Sequence, residues 1–469
     1  MIGANSISFI ILAFYFFLIP GALIAWKISD PAVSAGEIPR EAWRMHRYLA
    51  PRYEKWARER IASKKAAEVH YLNVPATEWP LFGSVFFLWA TEHLQAAWEK
   101  DHSLSEKAPV EYSRNTIEAC KDLILDPVHH SWVKTHWGDN YMHTENVFFR
   151  SLVIAGLTSY ERLTKSGSCI NTLRDQADTL SADLDASPFG VLYDYPGECY
   201  PIDVFAAVAW IREADEVLGT DHSFFFQRER RAFTGDRLDG KGLIPWLVDP
   251  RTGEKLKDSR GIVNSHILVF APELYPDLAR TWYELYLKYF WQDKWWASGF
   301  REFYKDTPNG NWTFDVDAGP IIDGFSPSAN AFGIAAARVN GRLDIAYTLY
   351  AEMMMATWPL PDGQLLVSRI LSDHENAPYL AEAAILWQLT ETPLEGVEIV
   401  KGGKISLAVY AGLAICFLGG LLIVLAACIR LWRWKLAEKD DELRYPRIPL
   451  QFAIWTALFL SAVALLALK

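Results

Sequence analysis

Three uncharged apolar runs, Ile7 to Trp26, Ile405 to Ile429 and Ile448 to Leu468, bracket this 469-residue chain. Each is long enough to cross a bilayer, and hydrocarbon admits only structures that satisfy every backbone group internally. The runs therefore predict three transmembrane helices, one before and two after a body of about 375 residues. The first run has neither the basic start nor the small-residue cleavage site of a secretory signal. The short loop between the last two runs holds Arg430, Arg433, Lys435, Lys439, Arg444 and Arg447, which places it in the cytoplasm and the body outside. Lys27, Arg40, Arg44, Arg47 and Arg52 on the body side pull the other way, but short loops weigh more than long ones. The expected plan is a membrane helix over 1–27, a basic amphipathic juxtamembrane segment over 28–75, and a domain over 76–395. A membrane helix over 404–430, a basic cytoplasmic loop over 431–447 and a last membrane helix over 448–469 follow. The lipid bilayer is thus the first partner.

Within the body, helix-like apolar spacing recurs at Phe82–Trp98, Ser113–Leu125, Asn146–Leu163, Ile202–Leu218, Ser265–Phe270 with Pro276–Trp291, Ser328–Val339, Leu343–Trp358 and Tyr379–Leu389. Breakers such as Asp126-Pro127, Ser187-Pro188, Asp249-Pro250 and Thr307-Pro308-Asn309-Gly310 divide them. No β-branched alternation predicts a sheet, so the fold class read from the residues is all-α. Several helices follow a loop rich in acids and aromatics and begin with small residues, among them Ala206, Ala207, Ala329 and Ala331. Hairpins of that kind, with inner helices starting on one face, would close into a toroid whose loops line a cup.

The net charge of −11 excludes a nucleic-acid partner, because no basic aromatic stripe exists beyond residues 40–65. Cys120, Cys169 and Cys199 in the body form neither a disulfide framework nor a CxxC zinc pattern. His129, His130, His136 and His143 lack a metal-binding spacing, so neither metal nor cofactor is expected.

The densest chemistry lies in Tyr193-Asp194-Tyr195-Pro196-Gly197-Glu198-Cys199-Tyr200-Pro201-Ile202-Asp203, immediately before an apolar helix. Pro196-Gly197 makes a bend, and Pro201 suits a first helical turn. Asp194, Asp203 and Glu198 are candidate acid/base carboxylates, since burial and mutual repulsion push one carboxyl up while another stays ionised. Tyr193, Tyr195 and Tyr200 are candidates to bind a substrate hydroxyl or ring. Cys199 has no nearby histidine and reads as a small buried apolar residue. A second acidic loop, Asp315-Val316-Asp317-Ala318-Gly319, adds Asp317 as a catalytic and Asp315 as a binding candidate; it lacks the closing Glu of a calcium loop. Arg260, which suits an acidic partner, and His266, a candidate proton shuttle, open another helix, and Glu145 completes the binding set.

The stretch from Ser187-Pro188-Phe189-Gly190 through Asp203 to Leu218-Gly219-Thr220-Asp221-His222 resembles the linalool dehydratase/isomerase family. Glu145-Asn146-Val147-Phe148-Phe149-Arg150-Ser151 and the Asp315–Gly319 loop with its Ala-rich helix are similar too, so the likeness covers roughly 75–390. It implies an (α/α)6 barrel with a central site, and metal-free elimination of water from, or isomerisation of, an allylic monoterpene alcohol. The family's two active-site cysteines fall on Asp194 and Asp203, and its histidine falls on Leu152. Its N-terminal catalytic aspartate has no counterpart. A cysteine site thereby becomes a carboxylate site.

The expectation is a membrane-anchored lyase or isomerase of lipophilic alcohols working by carboxylate acid/base chemistry. A glycoside hydrolase with paired carboxylates in an aromatic cup is the second reading, and a non-catalytic membrane-anchored binding protein the third. The substrate is accordingly a small molecule or a glycan. Oligomeric state is left open.

Overall fold

A computed structural model describes residues 2–439. The expected third membrane helix, and the loop beyond residue 439, lie outside the described residues.

The chain is mostly helical. Eleven helices build the body: α1 (Arg40–Ser63), α2 (Trp79–Lys100), α3 (Arg114–Ile124), α4 (Val147–Thr164), α5 (Ile170–Ala186), α6 (Pro201–Leu218), α7 (Gly261–Leu274), α8 (Pro276–Phe290), α9 (Pro327–Val339), α10 (Leu343–Thr357) and α11 (Leu380–Thr390). The all-α expectation is corrected by three short antiparallel pairs: β1 (Leu247–Val248) with β2 (Lys255–Lys257), β3 (Trp291–Asp293) with β4 (Ser298–Phe300), and β5 (Trp312–Asp315) with β6 (Gly319–Ile322). The last pair carries the alternation Trp312-Thr-Phe314-Asp315-Val316-Asp317, a period-two signal too short to stand out beside the helices.

Six helices pack inside: α2 against α4, α4 against α6, α6 against α7, α7 against α9, α9 against α11, and α11 back against α2. Their apolar faces run nearly all round, as burial on both sides requires; in α4, residues Val147 to Glu161 are all buried. Matched contacts show that neighbours run parallel. Phe86 meets Trp387 midway along α2 and α11, and His93 meets Thr390 further on. Gly261 lies against Ala329 at the start of α7 and α9, and Asn340 donates to the Leu268 carbonyl near their ends. The inner N-termini therefore share one end of the body, called the mouth below. Helices α1, α3, α5, α8 and α10 pack outside them.

Helix α1 lies where a juxtamembrane segment was expected. Its Ala42, Met45, Leu49, Ala50, Tyr53 and Ala57 are buried among α2, α3 and α11. Residues 40–63 thus form an outer wall of the body; Arg40, Arg47, Lys55 and Arg58 are exposed, whereas Arg60 is buried and donates to the Ala76 carbonyl.

Among the described residues two helices are long and apolar enough to cross a membrane, Asn5–Ala35 and Leu407–Leu436. They pack antiparallel; a side chain on Gly21 would stand 2.8 Å from the Cys416 Cβ, so only glycine permits that approach. Each carries a π-helical turn, Phe14–Leu18 and Ile415–Gly419, and the two turns lie side by side. Both helices are fastened to α10. The Trp358 Nε1–H donates to the Phe16 carbonyl at 2.8 Å, and Tyr347 and Tyr350 donate to Ile28 and Lys27 carbonyls at 3.3 and 3.4 Å. The connecting strap is held by buried Arg338, which donates to the Gly36, Glu37 and Glu391 carbonyls.

Candidate functional site

The loops leading into the inner helices gather their acids at the mouth. Tyr195-Pro196-Gly197-Glu198 is a tight turn closed by the Glu198 N–H donating to the Tyr195 carbonyl at 3.0 Å, with Gly197 at φ +90° where other residues are strained. That turn swings the Tyr195 ring inward onto Phe148, with centroids 5.7 Å apart, and its hydroxyl donates a short hydrogen bond to Glu78. Glu78 immediately precedes α2, 117 residues away. Pro201 then starts α6, and Asp203 stands in its first turn.

Glu78, Asp203 and Asp317 interact across this space. Burial holds the Glu78 carboxyl up at about 8; the Tyr195 hydroxyl opposes the shift, while Asp317, Asp203 and Glu198 add to it. Burial and then Asp317 hold Asp203 at about 8 as well. Asp203 and Glu78 are both half-buried, and the space between their loops is called the recess below. Asp317 still reaches water at the mouth, and burial with Asp315 raises it only to about 6. Among the described residues no ion pair reaches any of the three, and no hydrogen bond is made to the carboxyls of Asp203 or Asp317. The helix N-terminus alone would lower Asp203, so enclosure and like charge outweigh the dipole there.

The remaining predicted residues divide into bracing and lining. Asp194 is fully buried inside its own loop: Oδ2 accepts the Tyr200 N–H at 2.5 Å, and Oδ1 completes no hydrogen bond, although the Phe148 amide leans towards the carboxylate. Burial, then Asp203, raise its carboxyl strongly. It shapes the loop that presents Asp203. Glu145 accepts the Tyr193 N–H at 2.9 Å, so both residues act here as a brace between the α4 and α6 loops. Glu198 is exposed and accepts the Tyr200 hydroxyl at 2.8 Å, while the Tyr200 ring tilts on Trp246. Cys199 is wholly buried and its thiol pushed up by that burial, as a packing residue's would be.

Arg260 does not face the recess as a free cation. Its guanidinium lies between Trp246 and Phe303 and pairs with Glu302 at 2.6 Å and Asp315 at 3.0 Å. Asp315 Oδ1 also accepts the Asp317 and Ala318 N–H groups at 3.0 Å each. Arg260 and Asp315 together hold the β5–β6 turn so that Asp317 meets Asp203.

Below the carboxyls, one to two turns into the helices, lies an aromatic floor. Phe86 stacks on Trp387 at 5.1 Å, Trp89 on Trp210 at 4.2 Å, and Phe332 stands edge-on to Trp387 at 5.9 Å. His266 sits in this floor, edge-on to Phe270 at 5.2 Å and Phe332 at 5.3 Å. Burial lowers it to about 4, so it is neutral at pH 7, and no described group hydrogen bonds its ring. Leu152, on the position of the expected family histidine, is a buried apolar residue of α4. Among the described residues no group of three or more His, Cys, Asp or Glu side chains is arranged to hold a metal ion.

Glu78 is the one member of the recess that the sequence reading passed over. It looks like an ordinary first-turn acid beside Trp79-Pro80, and its partners are 117 and more residues away. Compared with known proteins, the chain matches no family model, and no curated protein matches it.

Proposed function

We propose that the protein is a membrane-anchored acid/base enzyme that removes, adds or relocates water on a lipophilic, isoprenoid-type alcohol. The observation carrying this reading is the convergence of Glu78, Asp203 and Asp317, without counter-cations, above a floor of stacked aromatic rings. A carboxyl held at about 8 is protonated at neutral pH, and one at about 6 is mostly ionised, which separates acid from base. Asp203, seconded by Glu78, donates a proton to the leaving hydroxyl. The C–O bond breaks, water departs, and the allylic cation lies against the ring faces and edges of the floor. The Asp317 carboxylate takes a proton from the neighbouring carbon, giving the alkene; alternatively the water attacks the other end of the allylic cation and loses its extra proton to Asp317, giving the isomer. Proton transfer through water from Asp317 to Asp203 restores the starting state.

The cyclic succession of six inner helices supports reading the body as an (α/α)6 barrel of the linalool dehydratase/isomerase kind. The basic residues Arg430, Arg433 and Lys435 in the last turns of the second apolar helix support an extracytoplasmic body, with Ile448–Leu468 as a third span. The glycoside reading has less support. The indoles of the floor stack on one another, which leaves no open platform for a sugar face.

The test is turnover by purified full-length protein in lipid nanodiscs against panels of isoprenoid alcohols and of glycans, with products identified by mass spectrometry. Conversion of an alcohol that is lost in Asp203→Asn and Glu78→Gln supports the proposal. Turnover of glycans alone, or alcohol turnover unchanged in both variants, would overturn it.

A further inference from the structure

The apolar helices leave the body at its mouth. Helix α10 runs outside the inner set and its C-terminal Thr357 leads through residues 358–379 into α11, so Trp358 stands at the mouth end. The chain from Gly403 climbs along α10 in that direction: Lys404 N–H donates to Thr348 Oγ1, Gly412 lies against Met355, and Gly419 faces Phe17 at the level of Trp358. From there it continues past the body beside the first helix, which comes the other way.

What remains beyond Trp358 is short. Gly420 to Ile429 is ten residues before Arg430, or about 15 Å at 1.5 Å per residue. The hydrocarbon core is about 30 Å thick, so this stretch covers about half of it. The first helix is similar: Asn5 to Phe16 spans about 17 Å. The missing half is the part of each helix already lying against α10. If these helices cross the bilayer, the mouth end of the body must occupy the outer leaflet with them.

The mouth is built for such a place. Its loops expose Leu72 (65%), Trp295 (61%), Trp312 (59%), Phe314 (73%), Ile370 (71%) and Leu371 (46%), a density of bare apolar side chains unusual for a surface facing water. The β5 strand and its turn divide their side chains by alternation. Asp315 turns inward to Arg260, while Trp312, Phe314 and Val316, on the other side of the alternation, are exposed, as Thr313 and Asp317 also are. A two-stranded hairpin with one bare aromatic face fits an interface between headgroups and acyl chains better than water.

We propose that the mouth is a lipid-docking surface sunk into the outer leaflet, so that the carboxylate recess opens into the bilayer and receives its substrate from the acyl phase. This rests on the reading of the two apolar helices as spans, and deepens the functional proposal by fixing the route of entry. It requires a substrate that partitions into lipid.

The test is depth-dependent quenching in phosphatidylcholine vesicles. Of the described cysteines only Cys428 is exposed, so single cysteines at Phe314, Ile370 and, at the opposite end, Phe224 are introduced on a Cys428→Ser background and labelled with bimane. Nitroxide-bearing phosphatidylcholine should quench the Phe314 and Ile370 labels at least twofold more than the Phe224 label. Equal quenching at all three sites, with the protein retained in membranes after alkaline carbonate washing, overturns the docking proposal and leaves the spans standing. Release by carbonate overturns the spans and the docking proposal together, and leaves the acid/base reading to the nanodisc assay.

Discussion

Two acidic clusters sit at opposite ends of the inner helices and are solved in opposite ways. Towards the far ends of α2, α4 and α6, Glu92, Glu213 and Glu216 surround Arg162 at 2.5, 2.7 and 3.0 Å. A cation is supplied there, and the ion pairs lock the helices together. At the mouth, half-buried Glu78 and Asp203 and exposed Asp317 have no ion pair of their own, and the nearby Arg260 is already committed to Glu302 and Asp315. Enclosure without pairing is resolved by protonation instead. The far cluster is therefore structural glue, and the mouth cluster, on the function proposed above, a store of mobile protons.

The sharpest way to break that contrast is exchange of one member from each end. Asp203→Asn should lower kcat on an alcohol substrate by about 100-fold or more, the usual worth of a positioned acid. Arg162→Met should leave kcat within about twofold but destabilise by about 2 kcal/mol in urea unfolding, a value reduced from that of a fully buried pair because Arg162 is 27% exposed. If Arg162→Met abolishes turnover in a folded protein, the division of roles is wrong.

Activity should next follow a bell with its centre near pH 7. The base limb belongs to Asp317 near 6 and the acid limb to Asp203 and Glu78 near 8, observed as properties of the coupled group. Asp317→Asn should remove the limb below pH 6 from whatever activity remains, as read from a pH profile of kcat/KM.

Stability should depend on pH with a sign set by the same groups. Asp203 and Glu78 hold protons in the folded state that the unfolded chain releases near pH 4, so stability falls as pH rises from about 4 to about 8. The slope is about 1.4 kcal/mol per pH unit for each group at most, and Asp203→Asn should remove its share. His46 and His129, held neutral by burial and lowered to about 3, act oppositely and stabilise as pH rises to about 6.5. Denaturation midpoints across pH 4 to 9 would show a maximum on the acid side of neutrality that moves up in Asp203→Asn.

Smaller effects follow for the supporting residues. Tyr195→Phe removes a donor that favours ionised Glu78, so the basic limb should shift upward with a loss of about tenfold or less in kcat/KM. Cys199→Ala should leave turnover nearly unchanged, with about 1 kcal/mol of stability lost from a filled site. A large loss of activity with Cys199→Ala would return the thiol to the chemistry.

Much of the scaffold was legible because helix periodicity is local. The expected Asn146–Leu163 differs from the observed α4 by one residue at each end, and Ile202–Leu218 from α6 by one residue at its start. What the pattern could not tell was which face a neutral-looking helix turns to what. Helix α1 reads as a basic surface segment because its charges are conspicuous and its buried stripe is modest in size. The site was half legible. Asp203 and Asp317 stand in acid-rich loops that draw the eye, whereas Glu78 is a single acid whose meaning arises only from Tyr195 folding across to it. Asp194 misled for the converse reason: sequence cannot distinguish an acid facing a recess from one folded back on its own Tyr200 N–H.

The hydrogen bond from the Trp358 indole to the Phe16 carbonyl, with Arg338 gripping the strap at Gly36 and Glu37, also sets how this protein can be handled and how far it can travel. A leash of that length would ordinarily let the body swing freely about it. This one has no slack. The body is bolted to its mast at one angle, so cutting the chain near residue 30 to obtain a soluble fragment would tear out part of the wall rather than untie a rope.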